Sequence, residues 1–130
     1  MIKVILDTNI LVSALWSPAG NASNIINLIL SYDLIPCFNQ DIIYEYKEVL
    51  ARPKLSFPAG QVNQLLHEIT DRGVLVNVPS STIVLPDETD RKFYDIALNC
   101  KAYLITGNLK HFPENPLIIS PAEFIKMYNK

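Results

Sequence analysis

The segment MIKVIL, at Met1–Leu6, is followed directly by Asp7 and the run TNILVSAL. A short apolar run rich in isoleucine and valine predicts a buried β-strand. A carboxylate at the end of a buried strand is costly unless a partner meets it. Asp7 therefore has two interpretations: either Asp7 or Thr8 caps a helix that begins near Asn9, or Asp7 belongs to a polar site at the end of the strand.

Strand-like and helix-like segments alternate along the rest of the chain. Further strands are predicted at residues 34–38, 74–78, 102–106 and 117–120, and helices at residues 23–30, 39–50, 59–73, 87–101 and 121–128. This alternation is typical of a parallel sheet with helices on both faces. We therefore predict one α/β domain over residues 1–130, with three layers and a central parallel sheet of about four to five strands. The functional site of such a fold lies outside the carboxyl ends of its strands.

Composition and charge exclude several classes of protein. The chain has 130 residues, of which 49% are hydrophobic and 18% charged, so it can bury its own core and is not intrinsically disordered. Eleven basic and 13 acidic residues give a net charge of -2, too negative to hold nucleic acid by bulk attraction. No apolar run approaches the roughly 18 residues of a membrane span. Two cysteines, Cys37 and Cys100, are too few for a disulfide framework and lack zinc-site spacing. We expect a cytoplasmic protein with no membrane association.

Helical spacing singles out further carboxylates. Glu45 lies on the border of the apolar stripe of its predicted helix, and Asp90 lies at the edge of the stripe of the next acidic helix. Asp87 fits the N-cap of that second helix. Asp95 lies about 140° around the helix from Asp90, so the two cannot easily share one ligand. Simple structural roles remain open: a boundary position for Glu45, a cap for Asp87 and a solvated position for Asp95.

The tripeptide TGN, at Thr106–Asn108, follows another predicted buried strand. Thr106 and Asn108 supply neutral oxygens, although an ordinary turn is the alternative. Asp7 and Asn108 come just after strand ends, and Asp90 begins a helix at the same edge of the sheet. Converging carboxylates repel each other unless a cation neutralises them. Oxygen ligands favour Mg²⁺ or Mn²⁺, which suit phosphoryl chemistry.

These segments resemble the PIN-domain ribonucleases, and most of all the branch that contains toxins of toxin–antitoxin pairs. The similarity extends over essentially the whole chain. It is carried by LDTNILVSAL (Leu6–Leu15), YEYKEVLARPKL (Tyr44–Leu55), DETDRKFYDIAL (Asp87–Leu98), ITGNLKHFP (Ile105–Pro113) and ISPAEFI (Ile119–Ile125). The opening segment and the Asp-rich helix are the more specific pair among these.

The resemblance implies a PIN-like fold and a metal-dependent endoribonuclease that hydrolyses phosphodiester bonds of RNA. Asp7, Glu45 and Asp90 match the family's first three acids, which hold Mg²⁺ or Mn²⁺; Asp90 or Glu45 would orient or deprotonate the attacking water. Asn108 stands where a fourth acid is usual, so one negative charge is missing although an oxygen ligand remains. Polar residues expected to support the site or meet substrate are Asn9, Ser13, Asp87, Asp95, Thr106 and His111.

The resemblance also implies partners. We expect RNA, a cognate antitoxin protein and a second copy of the chain in a homodimer. Basic residues that could contact phosphates are Arg52, Lys54, Arg91, Lys92, Lys110 and His111. A non-catalytic scaffold that binds RNA or a partner protein remains an alternative, motivated by Asn108. A haloacid-dehalogenase-type phosphatase is disfavoured, because the acid it needs two residues after Asp7 is replaced by Asn9.

Overall fold

Strand β1, Ile2–Leu6, lies at the centre of a five-stranded parallel sheet. The computed structural model describes all 130 residues. The remaining strands are β2 (Leu34–Phe38), β3 (Val74–Leu75), β4 (Tyr103–Ile105) and β5 (Ile118–Ile119). Their order across the sheet is β3-β2-β1-β4-β5, and every neighbouring pair is parallel. The predicted α/β class and parallel sheet are confirmed.

Five helices lie between the strands and a sixth follows the last strand. They are α1 (Thr8–Trp16), α2 (Asn21–Leu30), α3 (Gln40–Leu50), α4 (Ala59–Arg72), α5 (Arg91–Cys100) and α6 (Pro121–Tyr128). Local sequence explains two of the starts: Asn39 Oδ1 accepts the Ile42 N–H at 2.8 Å, and Ser120 Oγ accepts the Glu123 N–H at 3.2 Å. None of the helices combines the length and the apolar composition that a membrane span requires.

Both faces of the sheet are covered. Successive side chains of a strand point to opposite faces, and Val4, Ile5 and Leu6 of β1 are all buried. Helix α5 packs against β1, β2 and β4, whereas α1 packs against β1 and α2 against β2. Gly73 ends α4 where a Cβ atom would lie only 2.4 Å from the Pro36 carbonyl oxygen, so the close approach of α4 to β2 needs glycine. The cysteines are free thiols, one buried and one half-buried.

The structure decides one alternative that the sequence left open and corrects the extent of two predicted elements. The helix left open after Asp7 is formed, and Asp7 occupies its N-cap position without making a side-chain cap bond. The strand predicted at residues 74–78 is only two residues long. Helix α5 begins at Arg91 instead of residue 87, because Asp87 Oδ1 accepts the Thr89 N–H at 2.9 Å and starts a 3₁₀ turn over Glu88–Asp90.

The segment of residues 76–85, which we call the strap, has no regular secondary structure and is tied to α5. The Ser81 N–H donates to Asp95 Oδ2 at 3.1 Å, and Arg91 Nη1 donates to the Ser81 carbonyl oxygen at 3.0 Å. Arg91 Nη2 also donates to the Ile83 carbonyl oxygen. The strap therefore covers the flank of α5 that the sequence had left to solvent.

Candidate active site

The ends of β1 and β4 place Asp7 beside Thr106. Leu6 is paired with Ile105 in the ladder, and the Asp7 N–H donates to the Ile105 carbonyl oxygen at 3.0 Å. The Thr106 hydroxyl donates to Asp7 Oδ2 at 2.7 Å, and both side chains are buried. The two central strands thus hold the Asp7 carboxylate in a fixed position at the carboxyl edge of the sheet.

Glu45 reaches the same edge from α3. The neighbouring residue, Tyr46, is fully buried and donates its hydroxyl to the Leu6 carbonyl oxygen, which ties α3 to the end of β1. One carboxylate oxygen of Glu45 accepts the hydroxyl of Thr8. The other lies 2.7 Å from the ammonium nitrogen of Lys92 on α5. Glu45 is therefore held by groups from two helices.

Asp90 closes the third side, at the end of the 3₁₀ turn that precedes α5. Its side chain is 13% exposed, and its Oδ2 atom is buried without a hydrogen bond. The closest polar group is His111 Nδ1, at 3.3 Å. Burial, followed by the negative charges of Asp7 and Asp87, raises the pKa of Asp90 to about 6, and His111 offsets part of this effect.

Asp7 is perturbed in the same direction. Burial raises the pKa of its carboxyl above the ordinary value, and the charge of Glu45 adds to the effect. The hydrogen bond from Thr106 and the Thr8 backbone N–H oppose it, as does the charge of His111. Burial is the largest cause of the raised pKa at both Asp7 and Asp90, and the neighbouring negative charges add to it. The site therefore has an excess of negative charge that a cation would relieve.

One open pocket of about 410 Å³ collects these groups. Of the residues singled out from the sequence, it is lined by Asp7, Asn9, Glu45, Asp87, Asp90, Asn108 and His111. Thr106 lies behind Asp7, fully buried. The structure thus brings most of the predicted site residues together in one pocket.

Ser13 and Asp95 lie outside this pocket, contrary to expectation. Ser13 is exposed on α1, one turn beyond Asn9 and so farther from the strand ends. Asp95 is not solvated: it is 5% exposed, because the strap covers it and bonds to its Oδ2 atom. Its Oδ1 atom is buried without a hydrogen bond, and the residue lines a neighbouring pocket. The helical wheel correctly separated Asp95 from Asp90, but the solvated position that it left open is wrong because the strap covers Asp95.

The basic residues divide into those at the pocket and those elsewhere. Arg52 and His111 line the pocket, although Arg52 also pairs with Glu48 at 3.3 Å. Arg91 turns away from it, towards the strap and the Glu88 carboxylate at 2.7 Å. Lys54 and Lys110 are exposed and line no part of it. Arg91 therefore holds the strap instead of facing the pocket. Of the basic residues predicted to contact phosphates, Arg52 and His111 line the pocket.

For three residues, the sequence did not predict the contacts that they make within the site. Thr8 was considered only as a helix cap, Tyr46 only as a core residue and Lys92 only as a phosphate contact. Thr8 and Tyr46 each adjoin a candidate acid in the chain, and this adjacency is a signal that could have identified them. The pairing of Lys92 with Glu45 joins two helices and has no local signature.

The candidate ligand atoms are oxygens of the kind that a hard divalent cation binds, although they do not surround one common position. Asp7, Glu45, Asp90 and Asn108 offer only oxygen ligands, and Asp90 has an oxygen free of hydrogen bonds. As the side chains stand, no three acidic, histidine or cysteine groups form a metal-binding cluster. Because Glu45 is engaged by Lys92 and Thr8, it would have to exchange a partner to join such a cluster.

Comparison with known proteins agrees with this geometry. The family model described as the PIN domain matches residues 3–110. An uncharacterized protein of Methanocaldococcus jannaschii is 31% identical over 144 aligned positions, which cover 99% of this chain and 93% of that protein. No solved structure gives a significant match. The chain therefore belongs to the PIN-domain family, whose fold is of the nuclease type.

Proposed function

We propose that this protein is a divalent-metal-dependent endoribonuclease that hydrolyses phosphodiester bonds in RNA. The observation that carries the proposal is the buried Asp90 Oδ2 atom, which makes no hydrogen bond and has His111 Nδ1 at 3.3 Å, in the pocket that also holds Asp7. A buried carboxylate oxygen without a hydrogen bond is costly, and a cation would satisfy it. Membership of the PIN-domain family supports the nuclease assignment.

In this proposal Asp7, Glu45, Asp90 and Asn108 hold Mg²⁺ or Mn²⁺. Such an ion supplies a more acidic bound water and stabilises charge that develops on the phosphate. The protein contributes position and proton transfer. Thr106 fixes Asp7, and Asp90 or Glu45 accepts the proton of the attacking water.

RNA as the substrate follows from the family resemblance, and the metal dependence of its binding follows from charge. Without a cation, the acidic pocket repels a polyanion, so productive RNA binding depends on the ion. At the rim, His111 and Arg52 are placed to contact phosphates that flank the cleaved bond. Asn9 and Asp87, which also line the pocket, complete its polar surface.

We further propose that the protein acts as the toxin of a toxin–antitoxin pair, and that it forms a homodimer and binds a cognate antitoxin protein. This part of the proposal rests on the resemblance of the sequence to that branch of the family. The antitoxin would neutralise the nuclease by binding it. Co-expression with the gene next to its own, followed by co-purification, tests this partner directly.

A scaffold that binds RNA or a protein without cutting is the second candidate. Two observations favour it: Asn108 removes one expected charge, and Lys92 occupies an oxygen of Glu45. Both reduce the attraction of the site for a divalent ion. The two candidates differ in whether added metal produces cleavage.

A cleavage assay on generic RNA separates them. We expect cleavage with Mg²⁺ or Mn²⁺, none in EDTA, and a loss of at least about 100-fold for Asp7→Asn, which keeps the shape but removes the charge. Asp41→Asn, the same change at an exposed position of α3 outside the pocket, should retain full activity. RNA binding without metal-dependent cleavage would instead identify a scaffold.

A further inference from the structure

Lys92 places a positive charge against one of the proposed metal ligands. Its Nζ atom lies 2.7 Å from Glu45 Oε1 and also donates to the Thr89 carbonyl oxygen. The two side chains are largely shielded from water, at 18% and 24% exposure for Lys92 and Glu45. An ion pair with this shielding is screened less by solvent and salt than a surface pair.

This contact determines what Glu45 can do. With Lys92 on one oxygen and the Thr8 hydroxyl on the other, both oxygens of the carboxylate are engaged. Asp90, in contrast, has a buried oxygen without a hydrogen bond in the same pocket, with His111 Nδ1 at 3.3 Å. The acid on α3 is thus held by a lysine from α5, whereas Asp90 makes no such ion pair with a lysine.

We propose that Lys92 competes with the divalent cation for Glu45 and that metal binding releases this lysine to contact an RNA phosphate. This inference rests on the proposed function. In the metal-free protein the ammonium group neutralises Glu45; when the ion enters, Glu45 turns to it, because a doubly charged ion attracts a carboxylate more strongly than an ammonium group does.

The released lysine then needs an anion. Its ammonium group sits in a partly buried place beside the pocket, where an unpaired charge is costly. The phosphate brought by the substrate is the anion that the reaction supplies at that place. Metal and RNA should therefore bind cooperatively, since the ion both adds positive charge and frees a phosphate contact.

A fixed positioning role is the opposite alternative. If Lys92 stays on Glu45 and orients it towards the ion, removal of the lysine should weaken metal binding. If Lys92 competes with the ion, its removal should strengthen metal binding. The sign of the change therefore separates the two roles without any measurement of cleavage.

The test is a titration of Mn²⁺ in the absence of RNA, with free Mn²⁺ followed by electron paramagnetic resonance. Lys92→Met keeps the length of the side chain and removes its charge, and we expect its Mn²⁺ Kd to fall about 5-fold or more. Its melting temperature in EDTA should also fall, because Glu45 loses its counter-charge. Lys47→Met removes the same charge from an exposed position of α3 and should change neither value.

A second variant and a second ligand complete the test. Lys92→Arg keeps the charge and should leave the Mn²⁺ Kd equal or higher. Added Mn²⁺ should raise the affinity for a cleavage-resistant phosphorothioate RNA less in Lys92→Met than in the wild type. An unchanged or higher Kd in folded Lys92→Met, or an undiminished effect of Mn²⁺ on RNA binding, would overturn the inference. No Mn²⁺ binding by the wild type would instead overturn the proposed function.

Discussion

Thr106 donates its hydroxyl hydrogen to Asp7 Oδ2 at 2.7 Å and thereby joins two residues that are 99 positions apart in the chain. Both are buried at the ends of adjacent central strands. The bond favours the ionised form of Asp7 and opposes the rise in pKa that burial causes. Thr106 therefore helps to keep a negative charge at the centre of the candidate site.

Replacement of Thr106 by valine tests this bond. Thr106→Val keeps the shape but leaves Asp7 Oδ2 without its donor and the Asn108 N–H without its acceptor, so we expect the free energy of unfolding at neutral pH to fall by about 1.5–3 kcal/mol. Urea unfolding measures the change. Thr70→Val is the matched control, because Thr70 is exposed and bonds only to carbonyl groups within α4. Equal losses in the two variants would show that the buried bond has no special weight.

Tyr46 connects α3 to β1 through its hydrogen bond to the Leu6 carbonyl oxygen. Because Glu45 and Asp7 are the adjacent residues, this bond also sets the distance between two candidate ligands. Tyr46→Phe should lower the free energy of unfolding by about 1–3 kcal/mol, since a buried carbonyl loses its partner. It should also weaken Mn²⁺ binding in a calorimetric titration.

The control for this variant is Tyr94→Phe. Tyr94 is also buried, at 6% exposure, but its hydroxyl does not bond to β1. We expect its Mn²⁺ affinity to equal that of the wild type. If Tyr46→Phe binds Mn²⁺ as tightly as this control, the bond to Leu6 stabilises the fold without positioning the site.

The sequence was most informative where a local pattern determines structure. The apolar run before Asp7 and the apolar run before Thr106 each predicted a buried strand, and parallel strands place their carboxyl ends at one edge. Glu45, which the sequence places at the edge of the apolar stripe of its helix, lines the pocket. Periodicity and strand ends located this edge and five of its polar residues, namely Asp7, Glu45, Asp87, Asp90 and Asn108.

The sequence could not predict contacts between segments that lie far apart in the chain. A solvated position for Asp95 remained open because a helical wheel describes one helix alone, whereas the strap covers that side of α5. The pairing of Lys92 with Glu45 depends on how α3 and α5 pack, and many pairings of surface charges are compatible with the sequence. The short β3 strand was overestimated because an apolar run gives no measure of how far a sheet edge extends.

The stability of the metal-free protein should depend on pH through Asp90. Its pKa, raised from 3.8 to about 6, means that the native state binds more protons than the unfolded state between these values. The free energy of unfolding in EDTA should therefore decrease as pH rises through this interval and level off above it. Asp90→Asn should remove part of the decrease, as urea unfolding at a series of pH values would show.

Asp87 provides a control of opposite sign. The Thr89 N–H and hydroxyl hold the pKa of Asp87 below its ordinary value, so its contribution to stability is lost as pH falls. Asp87→Asn should reduce the decrease that Asp90 causes without abolishing it, because the charge of Asp87 is only one of the causes that raise the pKa of Asp90 and burial is the largest. A pH profile of Asp90→Asn that runs parallel to the wild type would disprove the link to Asp90.

Asn108 stands at the rim of the pocket with a defined backbone position. Its N–H donates to Thr106 Oγ1 at 3.0 Å, while its side chain makes no cap bond to the following 3₁₀ turn. The side chain is therefore not required by the turn itself. An aspartate at this position would keep the backbone arrangement and add one negative charge to a pocket that already holds Asp7 and Asp90.

Asn108→Asp should consequently have two linked effects. The added charge should tighten Mn²⁺ binding, because the site attracts the ion more strongly, and should lower the melting temperature in EDTA, because like charges repel. Asn63→Asp, which adds the same charge at an exposed position of α4 outside the pocket, should show neither effect. Mn²⁺ titration and thermal melts with and without EDTA measure both quantities. A lower melting temperature with unchanged Mn²⁺ affinity would mean that Asn108 shares the field of the carboxylates without contacting the ion, and would leave Asp7, Glu45 and Asp90 as the ligand set.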